Sequence, residues 1–152
     1  MDAVDRTIVV VFHALGAMAL CGAATHHAIV ALGYLRGVYK VRLARVYAAT
    51  VAAIWLVTFG VGLLAYPTFR IVVRAAYLDR FEPWASSLFD IKEYFAALGL
   101  PLALGVFALS RVIEPKHDRG QTRVYVAMTV LVAAIVWFEL IAGLVITMVK
   151  GV

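Results

Sequence analysis

The chain has 152 residues, 64% of them hydrophobic and 15% charged, with a mean hydropathy of +0.95 and a formal charge of +5. A water-soluble domain carries roughly a quarter charged and about half apolar residues, so this composition excludes a soluble globular protein, and its apolar content excludes disorder. The length accommodates about four membrane-spanning helices of roughly 20 residues each, and continuous Ala/Leu-rich runs without alternation argue against a β-barrel.

The first apolar run covers 7–35 without a charge. It is too long for a signal-peptide core, and Asp2 and Asp5 precede Arg6 where such a peptide has a basic start. The second run covers 43–66, with Pro67 as its end or a kink. The third covers 94–111 and stops at Glu114-Pro115; Gly120-Gln121-Thr122 opens the fourth, 122–149. The long connection 67–93 mixes Arg70, Arg74, Asp79, Arg80, Glu82, Asp90, Lys92 and Glu93 with aromatic residues. That mixture predicts a partly helical segment lying along the membrane interface. The expected architecture is all-α: a four-transmembrane-helix bundle forming a single integral membrane domain over 1–152, with an interfacial segment between helices 2 and 3. Cys21, the single cysteine, lies inside an apolar run and leaves no disulfide framework.

Basic residues set the expected orientation. The two short loops hold eight (Arg36, Lys40, Arg42, Arg45, Arg111, Lys116, Arg119, Arg123), against six on the opposite side. The positive-inside tendency then places both termini outside, in the cytoplasmic membrane of a prokaryote. In a lipid-embedded chain this charge speaks of loop orientation and anionic lipid, not of nucleic acid.

Three of the four histidines, His13, His26 and His27, sit in the first run. At 100° per residue His13 and His27 fall within about 40° of one another, separated by a rise of about 21 Å, while His26 points about 140° away from His13. Imidazole is a usual axial ligand of haem, and bundle cores are usual cofactor sites. His13 and His27 are therefore candidate metal ligands for two stacked b-type haems, one per leaflet. The other three spans hold no histidine. The partner ligand at His13 would be a non-histidine group, His13 of a second copy, or an open position. Lys92 and Met148 lie near the same surface, Met128 nearer the other, and His117 lies in the loop on the side of His26 and His27. The alternative is that these rings only hydrogen-bond to neighbouring helices or sit among lipid headgroups.

Glu139 lies ten residues from the end of the fourth run, beside Trp137 and Phe138. A carboxylate at that depth is costly unless it faces the bundle interior. Its depth matches that of His13, so a His13–Glu139 contact is expected, either holding a ligating imidazole by its other nitrogen or relaying protons. A protonated Glu139 bonded to a backbone carbonyl or to Thr58 is the structural alternative. Lys92, at the head of the third run, either snorkels to the surface or reaches inward as a ligand, an anion anchor or a propionate partner. Arg70 and Arg74, one turn apart, suit a haem propionate, a quinone headgroup or a phospholipid. Glycine and alanine in the first run, such as Gly16-Ala17 and Gly22-Ala23-Ala24, and Gly60 and Gly62 in the second, permit close helix approach or clearance for a flat macrocycle. No phosphate loop, zinc-protease motif, CxxC or nucleophile elbow occurs.

The stretch His13-Ala-Leu-Gly-Ala-Met-Ala-Leu-Cys-Gly, the basic loop Arg42-Leu-Ala-Arg45-Val-Tyr47 and the lysine at position 92 resemble small four-helix membrane proteins of the copper-resistance-D-like superfamily. That group includes the four-helix protoporphyrinogen oxidases. The resemblance covers most of the chain in layout and little in identity. It implies haem b binding with His13 as ligand and a redox role. The His26-His27 pair and the longer, more charged 67–93 connection depart from the pattern, which puts oxidase activity in question. Residues and resemblance together lead to the expectation of a membrane b-type haem protein that passes electrons, with a quinone or within a respiratory-type complex, as a homo-oligomer or a subunit. The alternatives are a cofactor-free accessory subunit of a larger complex and a small proton or ion carrier using Glu139.

Overall fold

The computed structural model describes residues 3–150, with side chains from Thr7 onward. Four long helices dominate it: α1 (Ala3–Leu35), α2 (Val41–Thr68), α4 (Pro83–Val112) and α5 (Arg119–Val149). Between α2 and α4 lie a π-helical segment, Phe69–Leu78, and a single turn, α3 (Asp79–Phe81). Among the described residues there is no strand. All four long helices are long and apolar enough to cross a membrane, and the fold is that of an all-α, four-helix integral membrane protein.

Local chemistry sets the boundaries. Gly37, with φ +78°, closes α1: its N–H donates to the Tyr34 carbonyl at 3.1 Å, and that of Val38 to Gly33 at 2.9 Å. This double bond is the Schellman closure, whose left-handed position favours glycine. Pro83 opens α4, where a missing N–H costs nothing. Asp118 caps α5 by accepting from the Gln121 N–H at 2.8 Å. Arg45 donates from Nε to the Ser110 carbonyl at 3.0 Å, tying α2 to the last turn of α4, where a cation also complements the helix dipole.

The bundle goes round in the order α1, α2, α4, α5, each helix packed on its two neighbours. Small residues set the spacing. A Cβ on Gly99 would collide with the ring of Trp55, and one on Gly16 would lie 2.5 Å from Thr58 Oγ1. Toward the loop end, where residues 36–40 and 113–118 connect the helices, a core forms from Ala24, Ala31, Val51, Trp55, Val106, Tyr125 and Val132. At the opposite, terminal end a second core gathers Val73, Leu78, Ala85 and Ile146. Large side chains such as Phe12, Val57, Leu64 and Met148 face outward, as a lipid-facing surface allows.

The 67–93 connection is more ordered than the sequence suggests. Only Glu82 leaves the helical state, and the third long helix begins at Pro83, eleven residues ahead of the expected 94. Pro67 does not end α2. It lacks the N–H that the i→i−4 ladder needs, and two residues later the chain continues with the wider π turns. From there the segment stops running alongside α4 and crosses its N-terminal end. Phe69 stacks on Phe89 at 4.4 Å, Arg74 pairs with Asp90, and Asp79 accepts from Ser86. A straight antiparallel helix would shift its partner about one residue per residue. Here the segment 69–79, a strap over the bundle end, meets α4 within the short stretch 85–90. The strap covers the terminal end of the bundle, with Val73 and Leu78 fully buried and Ile71 and Phe81 exposed, and it connects the second long helix to the third.

Candidate functional site

Between the two cores lies a cavity of about 570 Å³, walled by all four long helices and roofed by Phe69 of the strap. Its walls are mainly apolar and aromatic, including Phe59, Leu63 and Phe89, and the polar side chains on it include His13 and Lys92. The volume lies inside the roughly 300–1,000 Å³ usual for cofactor and small-ligand sites.

His13 reaches this cavity from α1. Its Nδ1 lies 3.0 Å from the Thr58 carbonyl oxygen on α2. A carbonyl only accepts, so Nδ1 carries a proton, and in the neutral ring the lone pair is then on Nε2. Among the described residues Nε2 has no hydrogen-bond partner. Gly62, one turn beyond Thr58, lies close to the ring: a Cβ there would lie 3.0 Å from His13 Cε1 and 3.3 Å from Nδ1. The imidazole is thus held in orientation with Nε2 available, as a carbonyl accepting from the other ring nitrogen orients a metal-ligating histidine.

Lys92 on α4 and Glu139 on α5 form an ion pair, Nζ to Oε2 at 3.1 Å, with side chains 18% and 16% exposed. Lys92 lies along Gly143, whose added Cβ would meet its Cε at 3.5 Å. His13 and Glu139, expected in contact, share no hydrogen bond: His13 is held by the Thr58 carbonyl and Glu139 by Lys92. Nor does Glu139 bond to Thr58; Glu139 Oε1 and Thr58 Oγ1 are both buried without a hydrogen-bond partner. Lys92 turns inward and does not snorkel. Its partner was legible in principle. Lys92 lies nine residues from the start of α4 and Glu139 ten from the end of α5, so the two share a depth. The expected start at 94 hid this by putting Lys92 outside the span.

The other candidate residues lie elsewhere. His27 is 1% exposed in the loop-end core, where its Nε2 is 2.8 Å from the Tyr125 hydroxyl, and Tyr34 stacks on Tyr125. Its nitrogen is engaged and it does not border the cavity. His26 faces outward, with Nδ1 2.8 Å from the Gly22 carbonyl and its ring stacked on Tyr47. Arg74 is held bidentately by Asp90 at 2.6 and 3.0 Å, with Asp79 at 3.6 Å, so its guanidinium braces the strap and is not free for a propionate. Arg70 is exposed and lies over the Tyr66 ring at 5.7 Å. Lys150, which the sequence did not single out, also borders the cavity, with its Nζ 5.5 Å from the centre of the Tyr77 ring. Among the described residues no three His, Cys, Asp or Glu side chains converge as a bare metal ion would require. A porphyrin-held iron needs only one imidazole, so the donor set fits a haem bound through His13 and no all-protein metal centre.

The chain matches no protein-family model, no curated protein and no solved structure.

Proposed function

We propose that the chain is a b-type haem protein of the membrane with a redox role, exchanging electrons between a membrane quinone pool and a second redox subunit or copy. The observation that carries this reading is His13. A neutral imidazole, locked by the Thr58 carbonyl with Nε2 unpartnered, borders a membrane-embedded apolar cavity of cofactor size. In this reading His13 would hold the iron, Phe59, Phe69 and Phe89 would supply apolar walls, and Lys150 would pair with a propionate, while Gly62 makes room for the His13 ring. Lys92 is held by Glu139 and stays off the iron. The bound group supplies one-electron chemistry. The protein would supply a fixed ligand, a mainly apolar cavity and a buried counter-charge. One haem at the terminal end replaces the pair suggested by helix spacing, because His27 is engaged by Tyr125. The basic loops favour termini facing away from the cytoplasm.

The test is a reduced-minus-oxidised visible spectrum of protein purified from a haem-replete host. Soret and α bands present in the wild type and lost in His13→Ala support the reading, and a featureless wild-type spectrum ends it. The unpartnered Glu139 Oε1 favours a second reading, a cofactor-free proton carrier. Proton flux in liposomes that Glu139→Gln abolishes, in haem-free protein, would support that reading instead.

A further inference from the structure

At the terminal end of the bundle each long helix contributes one polar group to a single layer: His13 from α1, Thr58 from α2, Lys92 from α4 and Glu139 from α5. These four do not form a closed network. The imidazole is tied only to a main-chain carbonyl, and the ammonium only to Glu139 Oε2. Glu139 Oε1 is left sealed from solvent with no donor. A buried carboxylate normally satisfies both oxygens; Lys92, which borders the cavity, holds Oε2, so the open Oε1 behind it is a place where a proton can be added without breaking that bond.

We propose that Glu139 is the proton acceptor of this site, taking up one proton each time the site takes up one electron. The inference rests on the haem reading above and adds a proton to it. The argument is electrostatic. Neutral His13, cationic Lys92 and anionic Glu139 sum to zero. An electron delivered beside His13 adds a negative charge in a low-dielectric layer that already holds a carboxylate, and like charges there repel strongly. Protonating Glu139 removes that carboxylate and leaves the Lys92 ammonium to offset the incoming charge. No other group in the layer can do this as directly. On α1, His13 is committed to the site, His26 faces outward and His27 is engaged by Tyr125. On α4, Lys92 is already protonated, Glu93 lies toward the cavity mouth, and Asp90 is bound by Arg74. Lys150 at the end of α5 is a cation bordering the cavity. The step balances. A membrane quinol gives up two electrons and two protons in becoming a quinone; each electron taken by the site is matched by one proton taken by Glu139 from water, and Glu139 returns that proton when the electron passes to the redox partner, so two turnovers convert one quinol to one quinone, two protons and two electrons on the partner.

The experiment uses the full chain loaded with haem b, titrated potentiometrically between pH 5 and 9. Where Glu139 is ionised in the oxidised form and protonated in the reduced form, uptake of one proton per electron lowers the reduced-to-oxidised ratio tenfold per pH unit at fixed potential, about 59 mV for a one-electron couple. Glu139→Gln should flatten this slope, and Glu139→Asp should keep it. If Glu139→Gln fails to fold, the wild type still decides. Its reduced-minus-oxidised infrared spectrum should gain a carboxylic acid C=O band on reduction. A haem-loaded wild type with no pH slope, a slope retained in Glu139→Gln, or no acid band on reduction overturns the proposal while leaving haem binding intact. Failure of the wild type to hold haem overturns both readings.

Discussion

Replacing Lys92 by Met removes one half of a pair whose side chains are only 18% and 16% exposed. Glu139 would then keep neither oxygen bonded, because Oε1 already lacks a partner. Breaking a buried pair from one side costs about 3–5 kcal/mol. A carboxylate at membrane depth sets a similar scale, roughly 2.5–3.5 kcal/mol for a charged side chain at the helix centre. Glu139 can escape part of this by taking a proton, so about 3 kcal/mol is expected at neutral pH, shrinking as pH falls. The double variant Lys92→Met/Glu139→Leu removes both charges and keeps the volume, and should return to within about 1 kcal/mol of wild type or exceed it. The assay is a double-mutant cycle by denaturant unfolding in mixed micelles at two pH values. A single variant as stable as wild type, or a double variant as unstable as the sum of its singles, would show that the pair is not buried as an ion pair and would refute the reasoning.

Two further variants test the packing that frames the cavity. Gly99→Ala drives a Cβ into the Trp55 ring and should cost about 1–3 kcal/mol by overpacking; Trp55→Phe in the same chain should recover part of it, and an unchanged unfolding midpoint for Gly99→Ala alone would contradict the close approach of α2 and α4. Tyr125→Phe leaves the buried His27 Nε2 without its 2.8 Å partner. The expected cost is about 1 kcal/mol, between the roughly 0.6 kcal/mol average for hydrogen bonds between membrane helices and the 1–3 kcal/mol of an orphaned buried group. Haem content should not change in this variant, which a pyridine haemochrome assay can check, since His27 lies outside the cavity.

The membrane class and the four-helix architecture were readable from the chain because both follow from local quantities. Apolar run length decides whether backbone groups can be satisfied within a segment in lipid. His13 and Glu139 also stood out alone, since a titratable group among apolar residues is conspicuous without any fold. What each of them touches was not legible. The Thr58 carbonyl that holds His13 belongs to a backbone group that every residue carries, and no side chain advertises it. The Lys92–Glu139 pair depends on where α4 begins, and helical propensity and charge content leave that start ambiguous over 67–93. Only packing resolved it, by running a π segment across the bundle end and extending α4 back to Pro83. The separation of His13 from His27 has the same origin. One helix face carries both rings, and the neighbouring helices decide that one meets a cavity and the other a tyrosine hydroxyl. Periodicity fixes direction along a helix, whereas the space and partners in that direction are set by the side chains of other helices.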